Sequence, residues 1–223
     1  VKDGSSSSKA AARGFRHLAE EGIGTGITCV VTDDMVNDLP GIADMAHFYG
    51  NVHQVGFDIL REQGRGETLH EPSARDMEKA LEAVYNRMAM LEKVTGRHIH
   101  FTQEDRVAHL YGGGNHEFPQ CYAMNGEAAF VDVHGVIYAC SSLMGRETYR
   151  LGTVKTGRDP DKVREVSAFI KKAMSPCRSC EYFPLCGGGC FSRWLDKEGR
   201  VRPSDAECAM KKFFIRKYLE KNR

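Results

Sequence analysis

The run Cys177-x2-Cys180-x5-Cys186-x3-Cys190, followed by Cys208, constrains this chain more than any other feature of its sequence. Closely spaced thiolates let one short loop bend around a metal or cluster, and more distant ones tie that loop to the rest of the fold. Gly187-Gly188-Gly189 fits the same purpose, since backbone without side chains can approach a bulky cluster, and Pro176 and Pro184 stiffen the loop. Cys121 and Cys140 join the set upstream, so seven of the eight cysteines lie after residue 120. The eighth, Cys29, sits in a buried-strand pattern and reads as a small core residue.

The start Val1-Lys2-Asp3-Gly4 lacks a signal-peptide pattern, and no apolar run approaches the ~20 residues needed to span a bilayer. A cytoplasmic home and no membrane partner follow as expectations. Cytosolic thiols are kept reduced, so the cysteines read as ligands before disulfides. One tetrahedral zinc or one cubane cluster takes four ligands; seven thiolates therefore imply two sites, one of them a ligand short. Spacing alone leaves zinc and iron both open. The net charge of +1 in 223 residues gives no electrostatic footprint for nucleic acid.

Residues 1–111 read as alternating helix and strand. Ala11, Phe15, Leu18 and Ala19 make a helical stripe stopped at Gly22; 27–31 is a β-branched strand; 39–49 is a helix closed by Gly50; and 55–60 is the next strand. Ser73 can cap a long helix presenting Met77, Leu81, Val84, Tyr85, Met88 and Leu91 on one face. This order predicts an α/β fold with a parallel sheet. Gly22-Ile23-Gly24-Thr25-Gly26 follows a helix and precedes a strand, the reverse of a dinucleotide site, so these glycines are a helix stop and a turn. His98 and His100 share one face of a short extended run and could bind metal, with ordinary packing or hydrogen bonding the preferred reading. At Gly112 to Gly114 the character changes, and a domain boundary is placed there, with 112–223 as a cysteine-rich α+β domain. Within it, 128–133 and 136–139 form a hairpin delivering Cys140, Val163 to Met174 supply an amphipathic helix, and Ala206, Met210, Phe213, Phe214 and Tyr218 supply a last one. Trp194 reads as packing near the cysteine loop.

The order Cys121-x13-Gly135-x4-Cys140, then Cys177-x2-Cys180-x5-Cys186-x3-Cys190, then Cys208 resembles the seven-cysteine signature of SPASM domains, the auxiliary iron–sulfur extensions of radical S-adenosylmethionine (radical SAM) enzymes, over about 90 residues. The resemblance implies two auxiliary [4Fe–4S] clusters, with Cys177, Cys180, Cys186 and Cys208 at the distal one. Cys121, Cys140 and Cys190 would hold the cluster nearer the active site, with His116 as a candidate for its missing fourth ligand or else an open iron facing substrate. Residues 1–111 resemble the later part of the radical SAM partial (β/α) barrel, with Asp3 near the cofactor site of an intact barrel. The family's Cys-x3-Cys-x2-Cys loop is absent from these residues. About half the barrel is therefore expected to be missing, which would leave the apolar faces around Val30 and Phe57 poorly covered.

The function implied is that of the C-terminal part of a radical SAM maturase acting on a peptide or protein. S-adenosylmethionine and a third [4Fe–4S] cluster would enter only with an intact barrel, where the cofactor carries the difficult chemistry. A flavodoxin or ferredoxin would supply electrons. Sulfatase maturases of this family carry an Asp directly after the second motif cysteine, whereas here Cys140 is followed by Ser141. Met144 to Gly152 resembles the thioether or cross-link maturases, which favours ribosomal-peptide modification. The competing class is a non-catalytic iron–sulfur electron-transfer module or a zinc-stabilised binding module, so whether this chain by itself is an enzyme stays open.

Overall fold

The long helix predicted after Ser73 shows how local chemistry sets the elements of this fold. Ser73 is in extended conformation and its Oγ accepts a hydrogen bond from the Asp76 N–H at 3.1 Å, which satisfies one of the helix's first unpaired donors. Gly96 ends the helix in the left-handed region at φ 68°, where a Cβ would be strained. Residues 6–113, 118, 121–196 and 198–222 are described by a computed structural model. Their elements run α1 (Ser8–Glu20), β1 (Thr25–Val31), α2 (Pro40–Tyr49), β2 (Val52–Ile59), α3 (Ala74–Thr95), β3 (His100–Phe101), α4 (Thr102–Tyr111), β4 (Phe130–Val131), β5 (Val136–Tyr138), β6 (Arg150–Thr153), β7 (Gly157–Arg158), α5 (Pro160–Ala173), α6 (Phe183–Cys186), α7 (Phe191–Trp194) and α8 (Asp205–Lys221).

The chain divides into two units. The first comprises Val1–Leu60, Thr68–Ala108 and Asp205–Arg223, and the second Arg61–Glu67 and His109–Ser204. These compact units interleave along the chain, whereas the sequence reading places a single boundary at 112. The last helix belongs with the first unit because Ala206, Met210, Phe213 and Phe214 on α8 join the core formed by β1, β2, α2 and α3. An amphipathic stripe marks a face to be buried, and nothing in its pattern names the core that buries it.

In the first unit, β1, β2 and β3 form a parallel sheet in that order, with Cys29 beside Phe57 and Val55 beside Phe101. The expected β-α-β succession and parallel pairing are both present, and Cys29 is a buried core residue. The expectation that Phe57 lacks cover is overturned, since it is 3% exposed. Its ring lies 6.4 Å from that of Phe214 and 6.3 Å from that of Phe101, so α8 and β3 provide the covering surface. Val30, which alternates to the other face of β1, is 48% exposed. The α1 stripe is shallower than its pattern predicts. No α1 residue is fully buried, and Phe15 stacks on Tyr49 at 4.8 Å. His98 and His100 are engaged by carboxylates, His98 Nδ1 lying 3.0 Å from Glu92 Oε1 and His100 Nδ1 3.8 Å from Asp105 Oδ1.

The second unit is built on an antiparallel sheet, β4-β5-β6-β7. The expected hairpin is there, although its strands are shorter than the apolar runs. Asp132 explains the turn: its Oδ1 accepts the N–H groups of His134 and Val136, both at 2.9 Å, while Gly135 takes φ 79°. The core of this unit gathers Phe118, Met124, Leu143, Leu151, Ile170, Met174, Phe191 and Trp194. α5 presents Val166 and Ile170 to it, after Asp159 caps its first turn through the N–H groups of Asp161 and Lys162. No helix among the described residues is long and apolar enough to cross a membrane.

Candidate metal centre

Three elements of the second unit bring cysteines to one place. Cys121 enters on a turn in which its N–H donates to the Phe118 carbonyl at 2.9 Å and its carbonyl accepts from Met124 N–H at 3.0 Å. Cys140 lies two residues beyond β5, after the Ala139 N–H has continued the ladder to the Tyr149 carbonyl, and it opens a 3-10 turn over Ser141–Leu143. Cys190 is the N-cap of α7. All three line a cavity of about 210 Å³, many times the ~10–15 Å³ that one water needs. Its wall alternates apolar groups (Ala123, Ala128, Phe130, Leu143, Phe191) with the polar side chains of Ser141, Ser142, Ser192 and Arg61.

Electrostatics agree with that convergence. Burial pushes the Cys121 thiol up to about 11; backbone N–H groups of Met124 and Ala123 pull against it, while Cys190 and Cys140 push it further up. Three thiolates cannot stay charged together in so confined a space without a cation to neutralise them, as a metal or cluster does. Among the described residues no three His, Cys, Asp or Glu groups are arranged to hold a single metal ion. The all-thiol donor set and the size of the cavity fit an iron–sulfur cluster, whose ligands sit on different irons at its corners.

Cys177, Cys180 and Cys186 follow one another through a tight segment. Cys177 and Cys180 are linked by a backbone hydrogen bond of 3.1 Å across the 3-10 turn Ser175–Ser179, and Cys186 ends α6, whose first turn holds Pro184. Cys208 lies on α8 in the first unit. None of the eight cysteines is paired in a disulfide. Asp3 and His116 fall outside the described residues.

The three glycines owe their place to different neighbours than the motif alone implies. Gly187 ends α6 at φ 69°. A Cβ on Gly188, at φ 93°, would lie 2.2 Å from the Phe118 ring, and one on Gly189 would lie 2.7 Å from Trp194 Nε1. Aromatic side chains thus occupy the space that side chains at 188 and 189 would need. Trp194 does pack beside the cysteine loop, and its buried Nε1 has no hydrogen-bond partner among the described residues.

Sequence reasoning missed Arg61 and Ser192. Arg61 Nη2 points at Cys190 Sγ at 3.7 Å and its Nε donates to Ser192 Oγ at 3.2 Å; Ser192 Oγ is in turn 3.2 Å from Cys190 Sγ. Gln63 Nε2 donates to the Ser192 carbonyl at 3.0 Å. Ser192 was within reach of motif reasoning, two residues past a cysteine. Arg61 was not, because nothing in its surroundings marks it.

No family model matches the chain, and no curated protein sequence matches it. Solved structures do resemble it. AdoMet-bound anSMEcpe, a radical SAM anaerobic sulfatase-maturating enzyme, aligns at 18% identity with a TM-score of 0.68 over 94% of this chain and 59% of that one. The same enzyme with bound AdoMet and the Cp18Cys peptide aligns at 18% identity and a TM-score of 0.70, over 96% and 61%. With the Kp18Cys peptide the values are 18% and 0.68, over 96% and 61%. The fold is therefore a mixed α/β arrangement matching part of the radical SAM fold, and the chain spans about 60% of the length of these neighbours.

Proposed function

We propose that this chain is the C-terminal part of a radical SAM enzyme that modifies a peptide or protein, and that its cysteines hold two auxiliary [4Fe–4S] clusters. The observation carrying this reading is the meeting of Cys121, Cys140 and Cys190, from three separate elements, around one cavity too large for a lone ion. The distal set rests on motif spacing. When bound, such clusters supply one-electron transfer, or a coordination position where an iron lacks a protein ligand.

This chain's own residues do three things for the nearer site. The thiols of Cys121, Cys140 and Cys190 supply the ligands, and the apolar wall of Ala123, Ala128, Phe130 and Leu143 limits water around them. Ser141, which also lines the cavity, puts a hydroxyl where the sulfatase maturases of the resemblance carry a carboxylate. A hydroxyl without an adjacent base does not take up protons near neutral pH, so a peptide modification other than formylglycine formation is favoured. The peptide substrate is supported by the fold shared with an enzyme solved with bound AdoMet and peptide. A flavodoxin or ferredoxin is the proposed electron donor.

The test is anaerobic purification and reconstitution, followed by iron, zinc and sulfide analysis. Two cubanes give about eight irons per chain, and Cys140→Ala should bring that to about four. Zinc without sulfide would replace this reading with a zinc-stabilised binding module. Incubation with reductant and S-adenosylmethionine should give no 5′-deoxyadenosine from these residues alone; turnover would place a catalytic cluster within them.

A further inference from the structure

Arg61, Ser192 and Cys190 form a directed hydrogen-bond relay, and we infer that this relay sets the reduction potential of the cluster held by Cys121, Cys140 and Cys190. The inference rests on the proposed function, since it requires Cys190 to be a cluster ligand. Its geometry is independent of that function. A thiolate ligand has no proton to donate, so in the Cys190 Sγ to Ser192 Oγ contact of 3.2 Å the hydroxyl must be the donor. Arg61 is consistent with that direction, because its Nε–H fills one of the two acceptor positions on Ser192 Oγ at 3.2 Å and leaves the hydroxyl proton available to sulfur. Arg61 Nη2 reaches Cys190 Sγ itself at 3.7 Å. One sulfur thus receives a neutral hydrogen bond and a charge-assisted one, from a cation that stays protonated at any working pH.

The surroundings make these contacts count. Ser192 is 3% exposed and Gln63 anchors its backbone carbonyl at 3.0 Å, so little water competes for the hydroxyl. Reduction adds one negative charge, spread over the cluster and its thiolates. Donors and a cation at one thiolate stabilise that added charge more than they stabilise the oxidised state, which raises the potential. An apolar cavity wall has the opposite effect, since it disfavours added charge. The relay offsets that wall at a single corner. Neither Cys121 nor Cys140 has a comparable side-chain donor among the contacts described, so the effect belongs to the Cys190 corner. Ser192 Oγ is also too close to Cys190 Sγ to be the missing fourth ligand, because ligands at two corners of a cube stand well apart. It acts on a ligand and is a positioning residue.

The experiment is a redox titration of the reconstituted holoprotein followed by electron paramagnetic resonance, with iron and sulfide content measured on each sample. In Arg61→Met the reduction equilibrium of one cluster should weaken about tenfold, a fall of about 59 mV for a one-electron couple, while the other cluster is unmoved. Ser192→Ala should lower the same potential by less. Arg61→Lys, which keeps the charge and loses the two-pronged fork, should fall between Arg61→Met and the parent. Unchanged potentials in fully loaded variants would overturn the inference and leave the cluster assignment standing. Loss of about four irons in the Arg61 and Ser192 variants would overturn it too, since the relay would then hold the cluster in place instead of tuning it. A parent protein that binds no iron or sulfide would overturn the proposed function beneath it.

Discussion

Replacing Phe214 with alanine tests the way α8 completes the first unit. Phe214 is 1% exposed, and its ring lies 5.3 Å from Phe101, 5.3 Å from Phe213 and 6.4 Å from Phe57. Truncating a buried phenylalanine costs about 3–5 kcal/mol through lost burial and the cavity left behind, and each aromatic pair lost is worth about 0.5–1.5 kcal/mol within such totals. Three ring partners place Phe214→Ala toward the upper part of that range. Against a total stability of about 5–15 kcal/mol, this is a large fraction. With a urea dependence of roughly 2 kcal/mol/M the unfolding midpoint should fall by roughly 2 M. Far-ultraviolet circular dichroism reports the transition, because the three longest helices of the first unit, α1, α3 and α8, dominate its signal. Emission from Trp194, the single tryptophan and a residue of the second unit, follows the other part of the chain separately. Phe48→Ala is the control, since that side chain is 79% exposed and its loss should stay within about 0.5 kcal/mol. A Phe214→Ala loss below about 1 kcal/mol would refute the argument that this helix covers Phe57.

Gly189→Ala should displace either Trp194 or the Cys190 segment, because the new Cβ would sit 2.7 Å from the indole Nε1; the reconstituted variant should carry about four irons in place of about eight. The cluster-free chain should lose stability as pH rises from about 9 to about 11. The folded Cys121 value of about 11 exceeds the ordinary 9.0, so the unfolded chain gives up its proton first, and the stabilisation present below pH 9 is lost through that window; Cys121→Ser should remove that part of the pH dependence of the urea midpoint. Ser73→Ala should cost about 1 kcal/mol in the same denaturation experiment, and Ser73→Gly only a few tenths, because Oγ accepts from the Asp76 N–H and glycine keeps the cap's backbone conformation accessible.

What could be read from the sequence was what a short stretch of chain decides by itself. The 3.6-residue stripe of α3, its Ser73 cap and its Gly96 stop involve residues within one helix, and the succession of β1, α2, β2 and α3 needs only the periodicity of each segment. The turns of the Cys177 to Cys190 segment are local in the same sense. They are closed by backbone hydrogen bonds between near neighbours, such as Cys180 N–H to the Cys177 carbonyl at 3.1 Å and Cys186 N–H to the Tyr182 carbonyl at 2.8 Å. Long-range pairing was not written in any one segment. Phe213 and Phe214 announce a buried face and nothing about which core receives it, so the sequence reading left Phe57 uncovered. The glycines at 188 and 189 looked like room for a cluster because the sequence cannot show Phe118 and Trp194 arriving against them. Arg61 is the extreme case. It follows a buried strand, belongs to no motif, and meets Cys190 only because the 61–67 segment belongs to the second unit, which sets its guanidinium 3.7 Å from that sulfur. Ligand residues declare themselves by type and spacing, since coordination chemistry accepts few side chains. A residue that tunes a ligand needs only a donor in the right place, and many side chains can supply one, so the fold alone identifies it.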